Sequence, residues 1–302
     1  MSHSSNVLAQ SSSPVTGVGL FSGATGAVTV HPGPGSIQLA RVESGRTIAR
    51  VGARIEWVTG DTAWTGLPPG VPVRNTTLDA TVRPESGRFV VATVEHLLAS
   101  LAGLGVWDAQ VQLHDGPEVP VLDGSALPFV EALLPVLETS EQGPDPVVLS
   151  ERVEVVRGDA FIRAEPSPPE EPIAYTYSLD YGPGAAITPQ AAVWRGSAGE
   201  FARAIAPART FSLRAEAEAA RRAGLFSHLT PRDMLVIDDQ GRPIDNEWRL
   251  PEEPARHKLL DLIGDLALLG GPFHANVLAH KAGHALAHEF CRKVHAMQER
   301  AR

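Results

Sequence analysis

Cysteine occurs once, at Cys291, in a chain of 302 residues. A lone thiol excludes an internal disulfide framework and a thiolate-rich metal site, and it fits a reducing compartment, so the cytoplasm is expected. Lysine is almost as scarce, with only Lys258, Lys281 and Lys293 in an otherwise arginine-based set of cations. A formal net charge of −9 leaves no basic surplus, so neither nucleic acid nor an anionic membrane surface is expected as a partner. No apolar run approaches the roughly 20 residues of a membrane span, which argues against stable membrane insertion. The opening "MSHSSNVLAQSSSP" lacks the basic and apolar regions of a secretory signal, and its serine-rich composition predicts a disordered lead-in over residues 1–14.

What remains is ordinary for a globular protein of one or two domains: 43% hydrophobic and 20% charged residues supply a core without staples. From Pro14, apolar stretches alternate with turn signals, and "TGVGLFSGATGAVTVHPGPG", "SIQLARV", "ARIEWV", "TTLDATV" and "RFVVATV" all read as short strands. They lead into a helix over "TVEHLLASLAGLGV", with Thr93 as the expected cap, then a strand "DAQVQL" and a second helix "SALPFVEALLPVLE". The polar, proline-bearing "TSEQGPDP" reads as a linker, giving a first domain over 15–140 and a second over 147–302. The second half repeats the plan, with strands "VVLSERVEVVRG", "AFIRAEP" and "IAYTYSLDYG", a helix around "AEAEAARRAGLF", a strand "MLVIDD" and a leucine-rich helix. There is a weak internal echo, which duplication or chance would give about equally: "EHLLASLAGLG" and "RHKLLDLIGDLALLGG" each set a histidine at the head of a leucine-rich helix, and each is followed by a strand. A true duplication would let the two histidines face each other across the domain interface.

The second of these helices carries an unexpected polar stripe. His257, Asp261 and Asp265 follow at four-residue steps and so stack on one side of a helix whose leucines demand burial. A solvated face gives the same pattern. A histidine and an aspartate at i and i+4 can also reach one cation, and imidazole with carboxylate suits zinc. His96 is then the natural third ligand and Glu95, beside it, the natural base, although "EH" alone is more often a helix-start carboxylate beside an incidental histidine. In "KAGHAL", His284 follows a glycine turn, and a carboxylate such as Asp265 would keep it charged to serve an oxyanion or a leaving amine. His280, His288 and His295 read as surface or helix-face histidines. Thr210, after Arg209 in "APARTF", reads locally as a turn or capping residue.

The motifs "TVEHLLASLAGLG", "PEVPVLDGSALPFV", "APARTF", "RHKLLDLIGDLALLGG" and "KAGHAL", in this order, resemble the UDP-3-O-acyl-N-acetylglucosamine deacetylases, zinc amidases of lipid A biosynthesis. The resemblance runs from about Thr16 to Val294. It implies an α+β fold of two similar domains, each a sheet with helices, the helices sandwiched between the two sheets. It implies that Zn2+ is held by His96, His257 and Asp261, that Glu95 is the general base, and that Asp265 orients a charged His284. It casts Thr210 as an aid to the oxyanion, Phe211 as packing on the substrate and Lys258 as meeting the substrate's polar or diphosphate part. The implied partners are a UDP-linked acylated amino sugar and its fatty acyl chain in an apolar passage, and the chain is expected to be a monomer.

Two departures bear on specificity. Phe21 stands in "GVGLFSGA" where the family has histidine, and "GLFSHLTPRD" replaces a glycine-rich turn near the acyl passage. They motivate one rival, a paralogous deacetylase acting on another nucleotide sugar or acylated amino sugar. A second rival is a non-catalytic zinc- or UDP-sugar-binding protein, which would have no need of Glu95.

Overall fold

The computed structural model describes residues 5–60, 74–80, 89–168 and 170–301. The first half of the chain runs β1 (Ser5–Leu8), β2 (Val15–Val18), β3 (Thr25–Pro32), β4 (Ile37–Glu43), β5 (Arg46–Gly52), β6 (Thr77–Asp79), β7 (Val90–Ala92), α1 (Glu95–Gly103), β8 (Ala109–His114), α2 (Leu127–Leu133) and β9 (Leu137–Ser140). The second half runs β10 (Val147–Val148), β11 (Val153–Arg157), β12 (Ala160–Pro166), β13 (Tyr175–Leu179), β14 (Gln190–Trp194), α3 (Ala198–Glu200), β15 (Phe211–Leu213), α4 (Arg214–Arg222), β16 (Leu235–Ile237), α5 (Glu253–Leu266), β17 (Phe273–His280) and α6 (His284–Ala301).

The duplication hinted at by two leucine-rich helices is plain in the sheets. The first is ordered β2-β3-β8-β4-β5 and the second β11-β12-β17-β13-β14, with β10 also pairing with β17. In each, the strand that comes last in the sequence lies at the centre, antiparallel to one neighbour and parallel to the other: β8 lies between β3 and β4, β17 between β12 and β13. In each, one long buried helix immediately precedes that central strand, α1 before β8 and α5 before β17. A parallel pairing needs a crossover, and the helix supplies it. Alternation does the rest: Ala109, Val111 and Leu113 of β8, and Phe273, Ala275, Val277 and Ala279 of β17, are buried on one face.

Both helices lie between the sheets, which gives the α+β sandwich of two similar units. Every residue of α1 is buried, and so is every residue of α5 except Arg256 and Lys258. A helix surrounded in this way has no wet face. The two pack against each other, α5 also covers β13 and β14, and one continuous apolar cluster joins both sheets. Gly264 sets their separation. A Cβ placed there would lie 2.1 Å from the main-chain oxygen of Glu95, so the helix touches its neighbour's backbone through the one residue without a side chain.

Several expectations are corrected. The lead-in is ordered from Ser5: β1 pairs antiparallel with β9, the Asn6 side-chain amide donates to the Leu104 carbonyl at the end of α1, and Ser12 is buried with its hydroxyl accepting from Val30 N–H. Serine-rich composition misled because the partners lie about a hundred residues away, and residues 1–4 of that segment lie outside the described residues. "ARIEWV" is not a strand but a 3-10 turn at Ile55–Trp57. The strand there is β5, paired with β4 through a two-residue turn in which Ser44 and Gly45 both have positive φ, 49° and 74°. Thr93 does not cap α1; at φ 57° its hydroxyl instead donates to Glu118. β14 was not foreseen, and among the described residues no helix is long and apolar enough to cross a membrane.

The close approach at Gly264 makes a testable claim. Gly264→Ala should destabilise the protein by about 2 kcal/mol, the scale of overpacking, despite alanine's better helix propensity. Chemical denaturation measures this, and a variant as stable as the parent would show that the helices can separate freely.

Candidate active site

The head of α1 meets the body of α5, from His257 to Gly264, where the helices cross, and the meeting brings the polar stripe of α5 against the "EH" pair of α1. The rings of His96 and His257 stand edge to face with centroids 5.0 Å apart. Asp261 Oδ1 lies 3.5 Å from His96 Nε2 and 3.4 Å from His257 Nε2. One ligand atom from each of the three residues falls within 4.8 Å of the others, and all three side chains are buried. His257 Nδ1 lies 3.1 Å from the Ala208 carbonyl, an acceptor, so Nδ1 carries the proton and the Nε2 lone pair faces the cluster. Burial holds His257 far below the ordinary histidine value, at about 3, even against the charge of Asp261, so the imidazole is neutral. Two imidazoles and one carboxylate with their ligand atoms turned to a common point are the chemistry of a cation site, and these residues fit a metal ion.

Burial alone would raise the pKa of Asp261, but its charged neighbours, the Lys258 ammonium beside it among them, reverse this and hold it well below the usual carboxylate range. Lys258 Nζ is 2.6 Å from Asp261 Oδ2, on the side of the carboxylate away from the two histidines' contact oxygen. The scarce lysine is thus engaged by a metal-ligand candidate while still lining the cavity.

Around this cluster stand a carboxylate and an imidazole with opposed tendencies. Glu95 is buried, and burial raises its pKa despite the charges of His284 and His96. Its Oε2 accepts the Thr76 backbone N–H at 3.0 Å, and its Oε1 is 4.0 Å from His284 Nε2. His284 Nδ1 is 2.8 Å from Asp265 Oδ2. Burial by itself would discharge His284, but the Asp265 carboxylate overrides it and lifts the imidazole to about 9, so it is charged at neutral pH. Pairs of groups pushed apart in this way are how a site keeps a base and an acid ready together.

These groups sit in a cavity of about 1070 Å³. Glu95, His96, Thr210, Phe211, His257, Lys258, Asp261 and His284 all border it; Asp265 stands behind His284. Phe211 lies against His257 with ring centroids 6.3 Å apart. Thr210 is carried by the start of β15, where its N–H donates to Gly124 and the preceding Arg209 is locked in a buried ion pair with Glu253 at 2.8 Å. The lining also includes apolar residues, Ala217, Ala220 and Ala223 of α4 and its extension together with Leu20, Phe21, Leu225 and Phe226. Phe21 packs edge-on against Phe226 with centroids 5.5 Å apart. His228 does not fill this space; it packs on Gly23 with Nε2 3.1 Å from the Gly19 carbonyl.

Two participants were not foreseen. His288, expected as a helix-face residue, is buried, with Nε2 2.9 Å from the Thr76 hydroxyl and 3.4 Å from Asp265 Oδ1. Its spacing, one helical turn after His284, was the available signal. Thr76, buried in "NTTLDA", offered none.

A buried His/His/Asp set flanked by a carboxylate and a charged imidazole fits the class of metal-dependent hydrolases. Comparison with known proteins gives the family. A model of the UDP-3-O-acyl N-acetylglycosamine deacetylases matches residues 8–296. The chain is 37% identical to the UDP-3-O-acyl-N-acetylglucosamine deacetylase of Thermosynechococcus vestitus, over 92% of this chain and 90% of that one. It is 36% identical to the enzyme of the same name from Synechocystis sp., over 93% of this chain and 95% of the relative. The chain belongs to this deacetylase family.

The site makes a prediction independent of turnover. The purified protein should hold one metal ion, and His257→Ala or Asp261→Ala should each reduce its content to about one-tenth or less under the same dialysis. Elemental analysis measures this; full metal in either variant would remove that residue from the ligand set.

Proposed function

We propose that this chain performs its family's reaction, hydrolysis of the N-acetyl group of UDP-3-O-acyl-N-acetylglucosamine to the free amine and acetate in lipid A biosynthesis, with the residues of this cavity carrying the chemistry. The observation that supports the reading is the convergence of Glu95 and a charged His284 on the His96, His257 and Asp261 cluster. Zn2+ held by those three residues would supply a Lewis acid for the acetyl carbonyl and the attacking water.

Glu95 takes the water's proton: burial makes it a stronger base than a surface carboxylate, and the Thr76 N–H fixes its second oxygen. His284, charged through Asp265, faces the same space and stabilises the oxyanion as the carbonyl becomes tetrahedral; collapse then breaks the C–N bond, the amine leaving with a proton returned by Glu95 or given by His284, and acetate is released. Thr210 borders the cavity beside it and adds a hydroxyl donor. Phe211 packs on the substrate, and Lys258 neutralises Asp261 while meeting the substrate's polar part. The apolar lining that includes the α4 alanines takes the acyl chain. The two units meet at residues 141–146, and the protein acts as a cytoplasmic monomer.

Two measurements test the reading. With the UDP-sugar as substrate, Glu95→Gln should keep metal and fold but lose at least about a hundredfold in kcat, the scale of general-base loss; near-parental turnover would remove Glu95 from the chemistry. In a series of substrates of increasing acyl length, each buried methylene adds about 0.8 kcal/mol until the passage ends. Ala217→Ile should move the optimum toward shorter chains, and an unchanged optimum would show that α4 does not border the passage.

A further inference from the structure

Thr76 is fully buried and touches both halves of the acid–base machinery. Its backbone N–H donates to Glu95 Oε2 at 3.0 Å, and its hydroxyl donates to Asp265 Oδ1 at 2.5 Å. The opposite oxygen of Asp265 accepts the hydrogen bond of His284 Nδ1, and His284 Nε2 lies 4.0 Å from Glu95 Oε1. The contacts therefore close a ring: Glu95, Thr76, Asp265, His284, Glu95. The hydroxyl has one proton, and Asp265 receives it, so the contact of 2.9 Å between Thr76 Oγ1 and His288 Nε2 must be a bond donated by His288. That donor fixes the rotation of the hydroxyl and makes an outer support behind Asp265.

Asp265, His284 and His288 have ligand atoms close enough to suggest a second cation site. The hydrogen-bond distances within the group argue against it: protons at His284 Nδ1 and Thr76 Oγ1 already occupy the Asp265 oxygens, and an ion would have to displace both. The group is a network of donors arranged around one carboxylate.

Resting on the roles of Glu95 as base and His284 as imidazolium, we propose that Thr76 is a positioning residue for the deacetylation, its hydroxyl holding Asp265 in the orientation that aims His284 at the reacting carbonyl, with His288 holding that hydroxyl in turn. Thr76 touches no substrate atom in this scheme. It acts through Asp265, and its effect is on the chemical step rather than on binding.

Thr76→Val isolates the hydroxyl, because valine keeps the shape and the backbone N–H that Glu95 uses. It should lower kcat about tenfold or more while KM stays within about twofold, with metal content unchanged. Thr76→Ser, which restores a hydroxyl, should recover kcat to within about threefold of the parent. On an Asp265→Asn background Thr76→Val should cost less than about twofold further, since two residues acting through one group do not add. Thr76→Ala removes the same hydroxyl with no added methyl and replaces the valine variant if that fails to fold. A loss of less than tenfold in kcat, a serine variant no better than valine, or a full further loss on the Asp265→Asn background overturns the proposal. The underlying roles fail separately: if Asp265→Asn itself keeps parental turnover, the role of His284 is wrong and this proposal falls with it. If Asp265→Asn loses turnover and Thr76→Val does not, only the role of Thr76 is wrong.

Discussion

The structure depends on the contact between two helices that approach backbone to backbone where Gly264 meets the carbonyl of Glu95. Each helix is the crossover of its own sheet, and both lie in the one apolar cluster that joins the two sheets. What neither half can do alone is place His96 beside His257 and Asp261, or Glu95 beside His284. The helix crossing does this in one step: it sets the two histidine rings 5.0 Å apart and at the same time brings the residue before His96 within reach of the head of α6. A duplicated fold thereby yields an asymmetric site, in which one copy contributes Glu95 and His96 and the other contributes His257, Asp261 and His284.

Burial is the second constraint, and it acts on the site's groups in opposite directions. Low dielectric favours neutral forms, so it raises the pKa of Glu95 and lowers that of His257, as base and ligand chemistry require. His284 must resist the same pressure, and it does so only because Asp265 stands 2.8 Å from its ring. Asp265 in turn is kept ionised by His284 and His288 against the desolvation that would protonate it. The polar stripe on α5 is therefore not an exception to the burial of a leucine-rich helix. Its three residues are satisfied one by one, by a carbonyl, a lysine and two histidines.

The sequence carried more of the site than of the fold's periphery, and the reason is range. His257, Asp261 and Asp265 lie on one helix, where spacing alone puts them in register, and "EH" and "KAGHAL" mark the starts of two others. The identical strand orders of the two sheets left only a faint trace in two helices, because strand pairing conserves alternation rather than particular residues. β1 was hidden by its serine-rich surroundings, since a four-residue strand is stabilised by its distant partner β9 and not by its own composition. Thr76 was hidden for the same reason: its three side-chain partners are all about two hundred residues further along the chain, and no local pattern announces them.

Everything proposed for the site turns on one cation held between the two helices, by His96 from one copy and by His257 and Asp261 from the other. Crystals of the metal-loaded protein, measured on either side of the zinc absorption edge, test this through the anomalous difference map. One peak within coordination distance of His96 Nε2, His257 Nε2 and Asp261 is expected. A sole peak at Asp265, His284 and His288, or none among these residues in protein that retains its metal, would contradict it.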